Sequence, residues 1–145
     1  MRKALLLSLL LLAGCGKPTP PAGKWEGGYQ SGGTIVVARV EIGGNGLVKV
    51  SAPDITNLDT THPEAMLNER ARLQSALVNG WEDVAPRAFD FDGKTFRKPG
   101  GVAPQMVWDK TTNQMTLELY IGANPALPVT LRPVGDFHDD PFGSG

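Results

Sequence analysis

The chain has 145 residues, of which 41% are apolar and 20% charged, and its formal net charge is −1. This length suits one globular domain, and a single cysteine excludes a fold held together by disulfides. Because the charge balance leaves no basic surface for a phosphate backbone, we do not expect nucleic acid as a partner.

The first 14 residues have the composition of an export signal. A positive start at Arg2 and Lys3 is followed by an apolar run over 4–12 and by small residues before Cys15. The run is shorter than the roughly 20 residues that a transmembrane helix needs. We therefore expect residues 1–14 to be a cleaved signal peptide.

The end of this leader, Leu-Ala-Gly-Cys at 12–15, resembles the lipobox of bacterial lipoproteins. In that family the cysteine thiol is diacylglycerylated, the leader is cut before it, and the new amine is usually acylated. The resemblance implies an anchor of two or three acyl chains at Cys15, with membrane lipid as its partner. Since Gly16 stands where an aspartate would resemble an inner-membrane retention signal, the resemblance favours the outer membrane, facing the periplasm. The alternative is an ordinary secretory leader with an incidental cysteine.

Residues 15–23 contain the anchor cysteine and a segment rich in proline and glycine. This segment shows no apolar periodicity, and its three prolines favour an extended, partly stiff chain. We expect it to be a tether between the membrane and a domain at 24–135.

From Lys24 onward apolar and polar residues mostly alternate, which is typical of half-buried strands. The alternation predicts eight strands, at 25–30, 34–42, 47–51, 87–92, 94–97, 105–109, 114–121 and 127–133. Tight hairpins are indicated by Asn45-Gly46 and Asp92-Gly93, whose residue types tolerate the positive φ angles of such turns.

One segment has helical periodicity instead. Thr61 and Glu64 have the spacing of a capping box, and Gly80 is a typical helix end. One face between them carries Met66, Leu73 and Leu77. The pattern predicts an α-helix at about 62–79, inserted between the third and fourth strands. Arg70 lies on the apolar face, so it either extends past the helix to water or is buried against an acidic group.

Short strands in this order favour a single antiparallel sheet. An open sheet would expose unpaired edge strands, which promote aggregation. We therefore predict an all-β fold, an eight-stranded antiparallel barrel with the helix plugging or flanking one mouth. The acidic segment 136–145 is expected to be a flexible, solvated tail. Its carboxylates and His138 are alternatively ligands for a weakly held divalent metal, but no metal site is predicted.

Gly23-Lys24-Trp25 before the first strand resembles the G-x-W motif that opens lipocalin barrels. In those families the tryptophan closes the barrel floor, and a basic residue of the last strand packs over its ring. The resemblance implies these roles for Trp25 and Arg132. The chain also resembles small lipocalin-like β domains of bacteria, some of which are free-standing lipoproteins, but it departs from them by the insertion at about 55–85.

The sequence offers little that indicates catalysis. No serine lies in a nucleophile motif, and the only histidines are His62 and His138. We predict no catalytic residue and no cofactor, and an enzyme is the least favoured class.

Six apolar side chains are candidates for the barrel interior or for a ligand pocket within it. They are Val36, Val40, Phe89, Phe91, Leu117 and Leu119. The favoured hypothesis is a non-catalytic, membrane-anchored envelope lipoprotein that binds an apolar small molecule or lipid. The alternative is a structural or accessory lipoprotein with a packed barrel that contacts another envelope protein. An apolar cavity of a few hundred Å³ would distinguish the two.

Overall fold

The computed structural model describes residues 16–58, 61–122 and 124–142. The predicted signal peptide and Cys15 lie outside this part of the chain. The strands are β1 Gly23–Ser31, β2 Thr34–Ile42, β3 Leu47–Ser51, β4 Thr56–Asn57, β5 Arg87–Ala88, β6 Asp90–Phe91, β7 Thr95–Arg97, β8 Pro104–Asp109, β9 Gln114–Leu119 and β10 Leu127–Val134. A helix α1 covers Pro63–Gly80 and is followed by a 3-10 turn at Trp81–Asp83.

The strands form one antiparallel sheet in the order β5-β3-β2-β1-β10-β9-β8-β7-β6, with β4 beside β2. Only Phe89 separates β5 from β6, so the sheet returns to its own start and makes a nearly closed barrel. The predicted all-β antiparallel barrel with one inserted helix is confirmed. The strand count differs from eight because the predicted strand 87–92 is divided at Phe89 and because β4 is additional.

The barrel has two ends that the connections define. The turns after β2, β6 and β8 and the start of β1 lie at one end, which we call the tether end. The connections after β1, β7 and β9 lie at the opposite end, which we call the mouth end. The first and last strands are neighbours, with Lys24 opposite Val134 and Gly27 opposite Leu131.

The barrel interior is filled by side chains from seven of the ten strands. The buried set is Trp25, Val36, Ala38, Val40, Ile42, Val48, Phe96, Met106, Met115, Leu117, Val129 and Leu131. These residues alternate with outward-facing ones along each strand, as the pleat requires. Small residues are needed where strands cross closely: a methyl group added at Gly27 would lie 2.0 Å from the Thr130 carbonyl oxygen.

The helix packs on the outer wall of the barrel, against the part of β2 nearest the mouth end, and does not plug the mouth. Leu73 and Leu77 of α1 are fully buried against Ile35 and Val37 of β2. This position follows from β2 itself, because its outward residues Ile35 and Val37 are apolar and require cover as its inward residues do. Within the described residues, no helix is long and apolar enough to cross a membrane.

The expected flexible tail is, over residues 136–142, a packed segment that we call the C-terminal strap. The Phe137 ring meets Trp81 edge to face, with ring centres 4.9 Å apart. Arg70 Nη2 lies 2.7 and 3.0 Å from the two carboxylate oxygens of Asp140, so this arginine meets an acidic group instead of extending freely to water. The strap thereby joins α1 to the outer wall of the barrel.

Candidate functional site

A cavity of about 540 Å³ opens at the mouth end of the barrel, and we call it the mouth cavity. Its apolar lining consists of Val48, Val50, Val84, Ala85, Phe89, Met106, Leu117 and Leu119. Its charged and polar lining consists of Asp83, Arg87, Lys98, Gln105 and Glu118. An apolar cavity with a few polar groups is the usual form of a small-molecule site.

Two irregularities in the sheet lie beside this cavity. The division between β5 and β6 places Phe89 outside both ladders, and its side chain lines the mouth cavity. The register between β7 and β8 shifts at Phe96 and Arg97, where the connection leads to Lys98. Such breaks in pairing widen a barrel locally, and they are common at the rims of barrels.

The six interior candidates separate into two groups. Phe89, Leu117 and Leu119 line the mouth cavity. Val36 and Val40 are fully buried in the packed core. Phe91 does not line the mouth cavity: it is half-buried beside the space at the tether end and packs against Phe96 at a ring-centre distance of 4.4 Å. The core and pocket interpretations therefore each apply to part of the set.

The charged rim of the mouth cavity is balanced. Arg87 and Lys98 contribute positive charge, and Asp83 and Glu118 contribute negative charge. Because ionised groups stay in water while the barrel interior is apolar, the cavity changes from polar at its rim to apolar at its depth. This arrangement suits a molecule with an apolar body and a polar group at one end.

Trp25 and Arg132, which the family resemblance placed together, lie on opposite faces of the sheet. Trp25 is buried inside the barrel at the tether end, where its indole nitrogen donates to the Pro21 carbonyl oxygen at 3.3 Å. Arg132 lies opposite Glu26, and its Nη2 is 3.9 Å from Glu26 Oε1 on the outer wall. The register pairs Trp25 with Pro133. Arg132 is the next residue along β10, so its side chain lies on the opposite face of the sheet.

The outer wall also holds a charged cluster that sequence reasoning missed. Glu26 is fully buried, and its carboxylate accepts from the backbone nitrogen of His138 at 3.1 Å and contacts His138 Nδ1. Its cross-strand neighbour Arg39 is 5% exposed and donates to the His138 carbonyl oxygen at 3.1 Å. Burial lowers the pKa of Arg39, and the carboxylates of Glu26 and Asp139 oppose that effect. The alternation of apolar and polar residues places both side chains on the outer face of the sheet. They are buried there because the strap covers them.

Carboxylates near the second predicted hairpin hold a turn together. Asp92 accepts from the backbone nitrogens of Thr95 and Lys94 at 2.7 and 2.9 Å and pairs with Arg97 at 2.8 Å. These hydrogen bonds lower the pKa of Asp92 to about 2. Among the described residues, no group of three or more potential metal ligands is assembled.

A comparison of the chain with protein-family models, curated proteins and solved structures finds no match. Function is therefore inferred from the site itself. Within the part of the chain that the structure describes, the mouth cavity combines a suitable volume with a lining of apolar and polar side chains.

Proposed function

We propose that this protein is a lipid-anchored envelope lipoprotein whose barrel binds an apolar or amphipathic small molecule, such as a lipid, without converting it. The mouth cavity carries this proposal: its volume of about 540 Å³ falls within the roughly 300–1,000 Å³ of typical ligand pockets. The ligand's apolar part would pack against Phe89, Leu117 and Leu119. Its polar end would lie at the charged rim.

The leader supports the membrane half of the proposal. The order of positive start, apolar run, small residues and cysteine agrees with lipidation at Cys15, and the chain contains no other cysteine. Two or three acyl chains would give a stable anchor, whereas one would not. The residue after Cys15 favours the outer membrane, with the barrel facing the periplasm.

Native mass spectrometry tests the binding half. Residues 16–145, exported to a bacterial periplasm behind a cleavable leader and purified without detergent, should retain an added mass that organic extraction removes. Leu119→Asp should abolish that added mass, because it places a charge against the apolar part of the ligand. The matched control is Leu67→Asp on the exposed side of α1, where Leu67 is 68% exposed.

A bare mass for the parent chain, together with no uptake of an apolar dye, would contradict ligand binding. That result would favour the alternative role, in which the barrel contacts another envelope protein. Retention of the added mass in Leu119→Asp would mean that the mouth cavity is not where the ligand lies.

A further inference from the structure

The tether lies against the tether end of the barrel. Pro21 accepts the hydrogen bond from the Trp25 indole, and Pro18 lies beside Gly93 in the turn after β6. Residues 17–20 also line a space of about 670 Å³ together with the turn 44–47 and the strand residues 88–91. The tether thus meets the barrel at Pro18, and three peptide units of about 3.8 Å each separate Pro18 from Cys15.

The mouth cavity opens at the opposite end. Its rim residues Asp83, Lys98 and Glu118 belong to connections or strand termini at the mouth end. β1 and β2 have nine residues each, which makes a strand of that length about 30 Å long at about 3.3 Å per residue. After a barrel tilt of about 40°, more than about 20 Å separates the two ends.

From these two positions we propose that the anchored barrel stands with its tether end on the membrane and its mouth facing the aqueous compartment. The proposal rests on the lipid anchor of the proposed function. A docked tether leaves only residues 15–17 between the barrel and the lipid, so the barrel cannot turn over without detaching residues 18–21. The ligand therefore enters from the aqueous side and not from the bilayer that holds the anchor.

Three apolar side chains are exposed at the mouth end. Val102 is 88% exposed, Tyr120 47% and Ile121 40%. The two segments that carry them touch, since the Tyr120 hydroxyl donates to the Pro104 carbonyl oxygen at 2.5 Å. In the proposed orientation they surround the mouth on the side away from the anchoring bilayer, where they are available to an incoming apolar ligand.

Site-specific quenching tests the orientation on the full chain. The chain is produced with its leader so that Cys15 is acylated, and it is inserted into vesicles of phosphatidylethanolamine and phosphatidylglycerol with a short-range quencher on some headgroups. Acylation consumes the only native thiol, so a fluorophore labels only an introduced cysteine. Gly44→Cys reports the tether end, where an added Cβ has open space, and Val102→Cys reports the mouth end.

We expect quenching at position 44 to be several-fold stronger than at position 102, because the headgroup layer extends only about 5–8 Å beyond the hydrocarbon core. Equal quenching at both positions, or stronger quenching at 102, would overturn the orientation while leaving the anchor intact. If the chain produced with its leader carries no acyl group and does not float with the vesicles, the anchor of the proposed function is wrong and the orientation falls with it. Flotation and quenching are read separately, so the two failures are distinguishable.

Discussion

Glu26 shows how one buried carboxylate joins the strap to the barrel. It is fully buried, bonds the backbone of His138 and lies beside Arg132. We expect Glu26→Ala to lower the free energy of unfolding by about 2–3 kcal/mol, because it leaves covered donors without an acceptor. Denaturant unfolding measures the loss. Glu41→Ala, on the same wall but partly exposed, is the control, and an equal effect of both variants would contradict the role of Glu26.

The lowered pKa of Asp92 predicts that the free energy of unfolding depends on pH. Its pKa is about 2 in the folded protein, below its ordinary value, because of the Thr95 and Lys94 backbone bonds and Arg97. A lowered carboxyl pKa stabilises the fold above the unfolded-state pKa, and this contribution is lost as pH falls through the folded-state pKa. Asp92→Asn should therefore destabilise most above about pH 4, and the difference from the parent chain should shrink toward pH 2. Urea midpoints across this range test it; a difference independent of pH would contradict it.

At the scale of elements, the packing of the strap on β1 can be tested by substitution. A methyl group added at Gly28 would lie 2.5 Å from the Phe142 ring, which itself is stacked 4.1 Å under the Arg70 guanidinium. We expect Gly28→Ala to cost about 1–3 kcal/mol of unfolding free energy by this overpacking. In a Phe142→Ala background the same change should cost much less, since residues in contact are not additive.

The comparison of all four proteins in this cycle decides whether the strap is docked in solution. Additive losses would mean that Phe142 does not lie on Gly28. Gly44→Ala is the matched control, because no atom lies within 4 Å of an added Cβ there.

The hairpins could be predicted from sequence because local chemistry determines them. Asn45-Gly46 and Asp92-Gly93 form turns as expected, and the helix at Pro63–Gly80 lies within one residue of its predicted bounds at each end. The position of that helix could not be predicted, since it depends on Ile35 and Val37 facing outward under α1. The packing of the strap could not be predicted from the sequence, because its partners Glu26 and Arg70 lie 112 and 70 residues away in the chain.

At the scale of the whole molecule, barrel closure followed from the number and order of the strands, but the cavity did not. Whether Leu117 and Leu119 face a packed core or a void depends on summed side-chain volumes and on two irregularities in pairing. A one-residue difference in register likewise decides that Arg132 meets Glu26 and not Trp25. Alternation identifies which residues share a face, and only the assembled sheet shows what they face.

The anchor gives a prediction for the molecule as a whole. Cys15→Ser should leave the leader uncleaved by lipoprotein signal peptidase and release the chain from acyl-dependent membrane binding, because a hydroxyl does not replace the thiolate in alkylation. Metabolic labelling with a palmitate analogue and flotation of membranes measure both effects. Palmitate incorporation in the serine variant would contradict lipidation at this position.

The neighbouring positions of β1 and β10 have a consequence for how the chain matures. Lys24 is paired with Val134. One edge of β1, the first strand to be synthesised, therefore stays uncovered until β10, the last strand, has been made. Contacts between residues so distant in the chain form slowly, and an exposed edge invites pairing with other chains in the meantime. Any truncation before Leu127 would leave this edge open permanently. We therefore expect a chain truncated before Leu127 to aggregate more readily than the complete chain, because the edge of β1 stays uncovered.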